Sequence, residues 1–182
     1  MESQEKGWLG NMLDWGRQRQ LGTPEILYAN AVELARDPAF FRDHGVADTV
    51  DGRFDALALV VALVMRRLKG CGDAGSELSQ QLFDSMFSDM DLSLREMGAG
   101  DIGVSKRVRV MAEAFMGRLD AYATALDNDD RAALSAAIGR NLLRDEGPAS
   151  DTLVDHVLAL EARLSALQDD VLLAGDLGGF HG

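Results

Sequence analysis

The chain has 182 residues, 47% of them hydrophobic, and carries 18 Lys plus Arg against 30 Asp plus Glu, for a formal charge of -12. Its length suits one ordinary domain of ~100–200 residues with room for an appendage. The charge excludes a general nucleic-acid binder, DNA included, because such a protein needs a positive surface to release counterions. The single cysteine, Cys71, excludes an internal disulfide and a thiolate zinc site and fits a reducing compartment.

The start, MESQEKGWLG, lacks the basic region and apolar run of a secretory signal and is too acidic for a transit peptide, so a cytoplasmic protein is expected. Residues 1–22 read as an amphipathic segment, with Trp8, Met12 and Trp15 on one helical face and Leu9 and Leu13 beside them. Thr23 as cap, Pro24 at the first helical position and Glu25 in the first turn predict a helix to about Arg36, closed by Asp37-Pro38. Asp51 is placed to cap a helix that carries ALALVVALVM, Ala56 to Met65. Ten apolar residues fall short of the ~20 a membrane span needs and suit a core helix. Its end, RRLK, sets Arg66, Arg67 and Lys69 where the helix dipole favours cations.

Beyond GCGDAG, a helix is predicted from about Ser76 to Met97, with Leu78, Leu82, Met86, Met90 and Leu94 at steps of four and Phe83 and Phe87 alongside. Its other face stacks Asp84, Ser88, Asp91 and Arg95, while Asp89 and Glu96 share a neighbouring stripe. The next helix, about Ser105 to Leu126, aligns Val108, Met111, Phe115, Leu119, Tyr122 and Leu126, and another follows from about Asn128 to Leu143. From Asp145 to Gly182 eight acidic residues face only Arg163, so -7 of the net -12 lies in the last fifth. Leu153, Val157, Leu160, Leu164, Leu167 and Val171 alternate steps of four and three, a heptad seam that packs either on its own domain or across a homodimer. With three prolines and no sustained apolar–polar alternation, the chain reads as all-α. The expected form is a compact multi-helix bundle of about six to eight helices, organised as segment 1–22, helical domain 23–144, and acidic helix with frayed tail 145–182.

No catalytic constellation emerges. His44, His156 and His181 are scattered without metal spacing, His156 reads as an exposed helix residue, no GxGxxG follows a strand, and GxxxxGK[ST] and GxSxG are missing. No enzyme activity and no cofactor are therefore expected. Asp84 and Asp91 resemble half of a bundle di-metal site, but the ExxH that such sites use does not occur, and an Asp91–Arg95 pair on a solvated face is the plainer reading. Trp8 and Trp15 suit a membrane interface, which makes a peripheral lipid-binding module the alternative, although the charges around them nearly cancel.

The stretch LREMGAGDIGVSKRVRVMAEAF, Leu94 to Phe115, poses a puzzle, because Lys106, Arg107 and Arg109 begin a predicted helix at the end where cations cost ~0.3–1 kcal/mol each. Either Asp89, Asp91 and Glu96 neutralise them across the GAGDIG turn, or opposite charges frame an apolar docking patch.

Three motifs in this region, DxxDGRF at Asp48 to Phe54, FxDMDxSLREMGxGD at Phe87 to Asp101 and KRVRxMAEAFxGR at Lys106 to Arg118, resemble the ubiquinol-cytochrome c chaperone family over roughly Ile26 to Leu143. The resemblance implies an all-helical, non-enzymatic chaperone of newly made apocytochrome b in bc1 complex assembly, and the absence of a transit peptide looks like the bacterial branch. Mitochondrial members work beside a partner near the ribosomal tunnel exit, so a ribosome contact and a peripheral position at the inner face of the membrane are further expectations. The matching positions expected to form the partner surface are Asp51, Arg53, Asp84, Phe87, Asp89, Asp91, Arg95, Glu96, Lys106, Arg107 and Arg109. Ser105 stands where many relatives carry proline, and Ser can cap a helix that Pro would start.

Overall fold

A computed structural model describes residues 22–96, 98 and 101–178. Trp8, Trp15 and the rest of residues 1–21 lie outside the described residues. Those described contain no strand and eight helices, six of them eight residues or longer: α1 (Thr23–Ala35), α2 (Pro38–Arg42), α3 (Val50–Leu68), α4 (Gly72–Glu96), α5 (Asp101–Asp127), α6 (Arg131–Ile138), α7 (Asp151–Ser165) and α8 (Asp169–Leu173). A 3-10 turn, Lys69–Cys71, joins α3 to α4, and a π-helical turn, Gly139–Leu143, continues α6.

α3 is the axis. Every residue from Phe54 to Val64 is buried, and α1, α4, α5, α7 and the π turn pack around it. A helix that is apolar all round is one enclosed by its neighbours, which accounts for the unbroken run in the sequence. Each Leu or Val so enclosed contributes ~1.5–3 kcal/mol relative to exposure. α4 folds back along α3 and α5 along α4, so α3 and α5 run in the same direction, with Asp55 facing Arg118 and Arg66 facing Asp127.

The helix starts correct several expectations. α1 begins at Thr23 itself, after Gly22, and no side chain caps it. α3 is capped by Thr49, whose Oγ1 accepts the Gly52 N–H at 3.1 Å, and Asp51 lies in the first turn instead. Gly52 is required there, because a Cβ would stand 1.9 Å from the Ala47 carbonyl oxygen. α4 starts at Gly72, whose φ of +66° lets the chain reverse directly, four residues before the expected Ser76. α6 starts at Arg131 under an Asp130 cap, not at Asn128. α5 starts at Asp101, not Ser105.

The expected single heptad helix is two helices. Leu153, Val157, Leu160 and Leu164 are buried, with α7 packed on α3 and α6, and the chain then breaks between Ser165 and Asp169. Arg67 holds the break: its guanidinium donates to the Leu167 carbonyl at 2.7 Å and pairs with Asp169. Such carbonyls are what a helix end leaves unsatisfied. Arg66 pairs with Glu161 at 2.8 Å, and Arg131 with Asp155 at 2.8 Å and Asp151 at 3.2 Å. His156 is half-buried rather than exposed, edge-on to Phe40 and 4.9 Å from the His44 ring, with Nε2 3.3 Å from the Asp37 carboxylate.

Candidate functional site

The second half of α4 and the first half of α5 gather most of the residues singled out in the sequence. Phe83, Phe87 and Phe115 clasp the two helices together, with ring centroids 4.6 Å (Phe83–Phe87), 5.7 Å (Phe83–Phe115) and 6.0 Å (Phe87–Phe115) apart. Phe87 is therefore a core residue, 7% exposed, and not a surface anchor, which corrects its expected place. Met90 is the last α4 residue of the main core; Leu94 and Val104 are buried apart from it, where α4 and α5 approach their junction. On the same two helices Leu92 is 53% and Val110 56% exposed.

Charged groups share these two helices with them. Asp91 pairs with Arg95 one turn along α4, as the spacing predicts, and Arg109 pairs with Glu113 at 3.0 Å along α5. Asp84 accepts from Gln80 at 2.9 Å. Asp89 turns toward α1 and accepts the Tyr28 hydroxyl at 2.9 Å. Burial raises the Asp89 carboxyl above the usual range, and Glu96 adds to the rise while the Tyr28 bond opposes it. Burial and the facing carboxylate likewise push the Tyr28 phenol far up. Lys106 and Arg107 are exposed on α5.

The early start of α5 dissolves the dipole puzzle. Lys106 is the sixth helical residue, Arg107 the seventh and Arg109 the ninth, past the first turn, where the terminal field has faded. The pairs made by Asp91 and Arg109 run within one helix and that of Asp89 reaches α1, so none of the three realises neutralisation between α4 and α5.

Asp51 and Arg53 lie in the first turns of α3. Arg53 pairs with Asp48 at 2.7 Å, and Asp51 with Arg144 at 3.1 Å. They border a feature that sequence reading missed, an ion cluster around Asp55. This carboxylate has no side-chain exposure and receives Arg118 Nη1 and Arg144 Nε, each at 2.6 Å. Arg118 also lies 5.8 Å over the Phe54 ring, and Arg144 reaches in from a left-handed backbone, φ 55° and ψ 35°, at the close of the π turn. A buried carboxylate held by two guanidiniums locks α3, α5 and the π turn together. The signal was an Asp placed directly before the apolar run, in FDALALVV.

Among the described residues no group of His, Cys, Asp and Glu could hold a metal ion, and no helix is long and apolar enough to cross a membrane.

The ubiquinol-cytochrome C chaperone family model matches residues 42–180, starting later and running further than the motif resemblance, through both C-terminal helices. A curated relative, the ubiquinol-cytochrome-c reductase complex assembly factor 1 of Xenopus laevis, is 29% identical over 155 residues, 83% of this chain and 77% of that protein. The crystal structure of the Cbp3 homolog from Brucella abortus is similar in fold, with a TM-score of 0.75 and 38% identity over 85% of this chain and 86% of that one.

Proposed function

The chain belongs to the ubiquinol-cytochrome c chaperone family, and from that premise we propose that it is a non-enzymatic assembly chaperone of the respiratory bc1 complex that binds newly made cytochrome b. The surface proposed for the client is the α4–α5 face with Asp91, Arg95, Glu96, Lys106, Arg107 and Arg109 around Leu92 and Val110. What supports it is the exposure of Lys106 and Arg107 within a helical turn of half-exposed Val110, in a chain whose formal charge is -12. Charge of the minority sign steers and orients an encounter, and the apolar contacts retain the partner.

The test is crosslinking and affinity capture of the tagged protein from cells making a bc1 complex. Wild type should retain cytochrome b, while Lys106→Glu with Arg107→Glu should melt as wild type and retain much less. Equal retention by the variant would move the client off this surface. Ribosomes or membranes recovered without cytochrome b would replace the client role with targeting.

A further inference from the structure

At the opposite end of the bundle, a groove of about 790 Å³ opens between the last turn of α3, the first turns of α4 and the second half of α5. Met65, Met116 and Leu119 give it an apolar lining, while Lys69 stands on one side and Asp120 and Asp127 on another. Met116 is 50% exposed. The volume lies within the ~300–1,000 Å³ of pockets that take drug-sized groups, enough for an indole or two. Methionine adapts to such rings, and its sulfur makes favourable contacts with them.

We propose that this groove seats the chain's own N-terminal segment, residues 1–21, with the face of Trp8, Met12 and Trp15 turned into it.

The place where that segment joins the fold supports this occupant. α1 begins against the turn after α8: Asn30 Nδ2 donates to the Gly175 carbonyl at 2.8 Å, and a Cβ on Gly175 would stand 2.9 Å from the Thr23 carbonyl oxygen. Six residues before Gly175, Asp169 grips Arg67, which itself lines the groove. The short helix α8 therefore runs from beside the start of α1 to the Arg67 guanidinium. The seven residues from Trp15 to Gly22 span up to ~25 Å when extended, more than the length of α8 and an arginine side chain together.

The charges also agree. Glu2, Glu5 and Asp14 stand against Lys6, Arg17 and Arg19 in the segment, and the groove's rim is similarly mixed, so neither repels the other. A strongly basic or strongly acidic occupant would meet like charge on one side.

The chain's two tryptophans are Trp8 and Trp15, so its indole fluorescence reports on this segment alone. In the full-length protein the emission should be shifted to the blue and shielded from acrylamide, at every protein concentration. Met116→Glu should shift the emission to the red and raise the quenching while helicity and melting stay as in wild type. Should that variant fold poorly, Met116→Gln, uncharged and of the same length, carries the test with a smaller red shift. Three results overturn the proposal: emission of fully exposed indoles in wild type, shielding that neither variant relieves, or shielding that arises only on raising protein concentration or adding anionic phospholipid vesicles. The last two would assign the segment to a second copy or to a membrane surface.

Discussion

Asp55→Asn removes one charge from the centre of the bundle while keeping the side chain's size. Asp55 has 0% side-chain exposure, Arg118 18% and Arg144 53%, so the substitution leaves one guanidinium mostly enclosed without its anion and a second that can turn to water or to Asp51. Removing one partner from a buried ion pair costs ~3–5 kcal/mol, and the half-exposure of Arg144 sets the expectation near the lower figure, about 3 kcal/mol. For a chain of this size that is a fall in Tm of ~6–12 °C, at ~2–4 °C per kcal/mol. Arg144→Met should cost less, ~1 kcal/mol, because Arg118 still holds the carboxylate and the lost bond was partly in water. The measurement is urea denaturation followed by helical circular dichroism on wild type, both single variants and the double variant. Since both arginines act through one carboxylate, the double variant should be less destabilised than the sum of the singles by at least ~0.5 kcal/mol. If Asp55→Asn stays within ~0.5 kcal/mol of wild type, or the two changes simply add, the cluster does not lock these elements together.

Two further outcomes are accessible with the same assay. Gly52→Ala should destabilise strongly, by ~2 kcal/mol or more, because its Cβ would meet the Ala47 carbonyl at 1.9 Å and the Thr49 cap would have to give way; a neutral result would mean that residues 46–49 move aside freely. His156 is held below its ordinary pKa of 6.5, first by burial and also by the nearby His44, against the pull of Asp37. Between that lowered value and ~6.5 the unfolded chain binds a proton that the native one does not, so stability should fall as pH drops through this window, by up to ~1.4 kcal/mol per unit. His156→Gln should flatten the slope, and an unchanged pH profile would show that the imidazole titrates alike in both states.

The helical class was legible because its signal is periodic. The apolar run of α3 is too long for an ordinary strand, the four-residue steps of α4 mark one helical face, and a helix covers each. Ends were less legible because they depend on contacts that the pattern does not contain: Thr49 caps α3 through a turn that only Gly52 permits, and α5 is already helical at Asp101, four residues before the Ser that looked like its start. Among surface residues, the Asp91–Arg95 pair followed from helix spacing alone. Phe87 was misplaced for a related reason, since residues on the flank of a core stripe are buried or exposed according to which neighbour approaches, here Phe115 from α5. Asp55 escaped notice because its partners lie 63 and 89 residues away, beyond the reach of any local rule.

The arginines at the end of α3 also bear on how shortened versions of the chain would behave. Asp151, Asp155, Glu161 and Asp169 all come from the acidic last fifth, and they cover Arg131, Arg66 and Arg67. A chain cut after residue 144 would bare Arg67 and Arg131 together with the apolar surface beneath α7, and would leave Arg66 with Asp127 alone. Guanidiniums bind phosphate through the same forked geometry with which they bind carboxylate. RNA or anionic lipid retained by such a fragment would then report the missing acidic segment, which acts in the intact chain as a built-in polyanion mimic, rather than a physiological ligand.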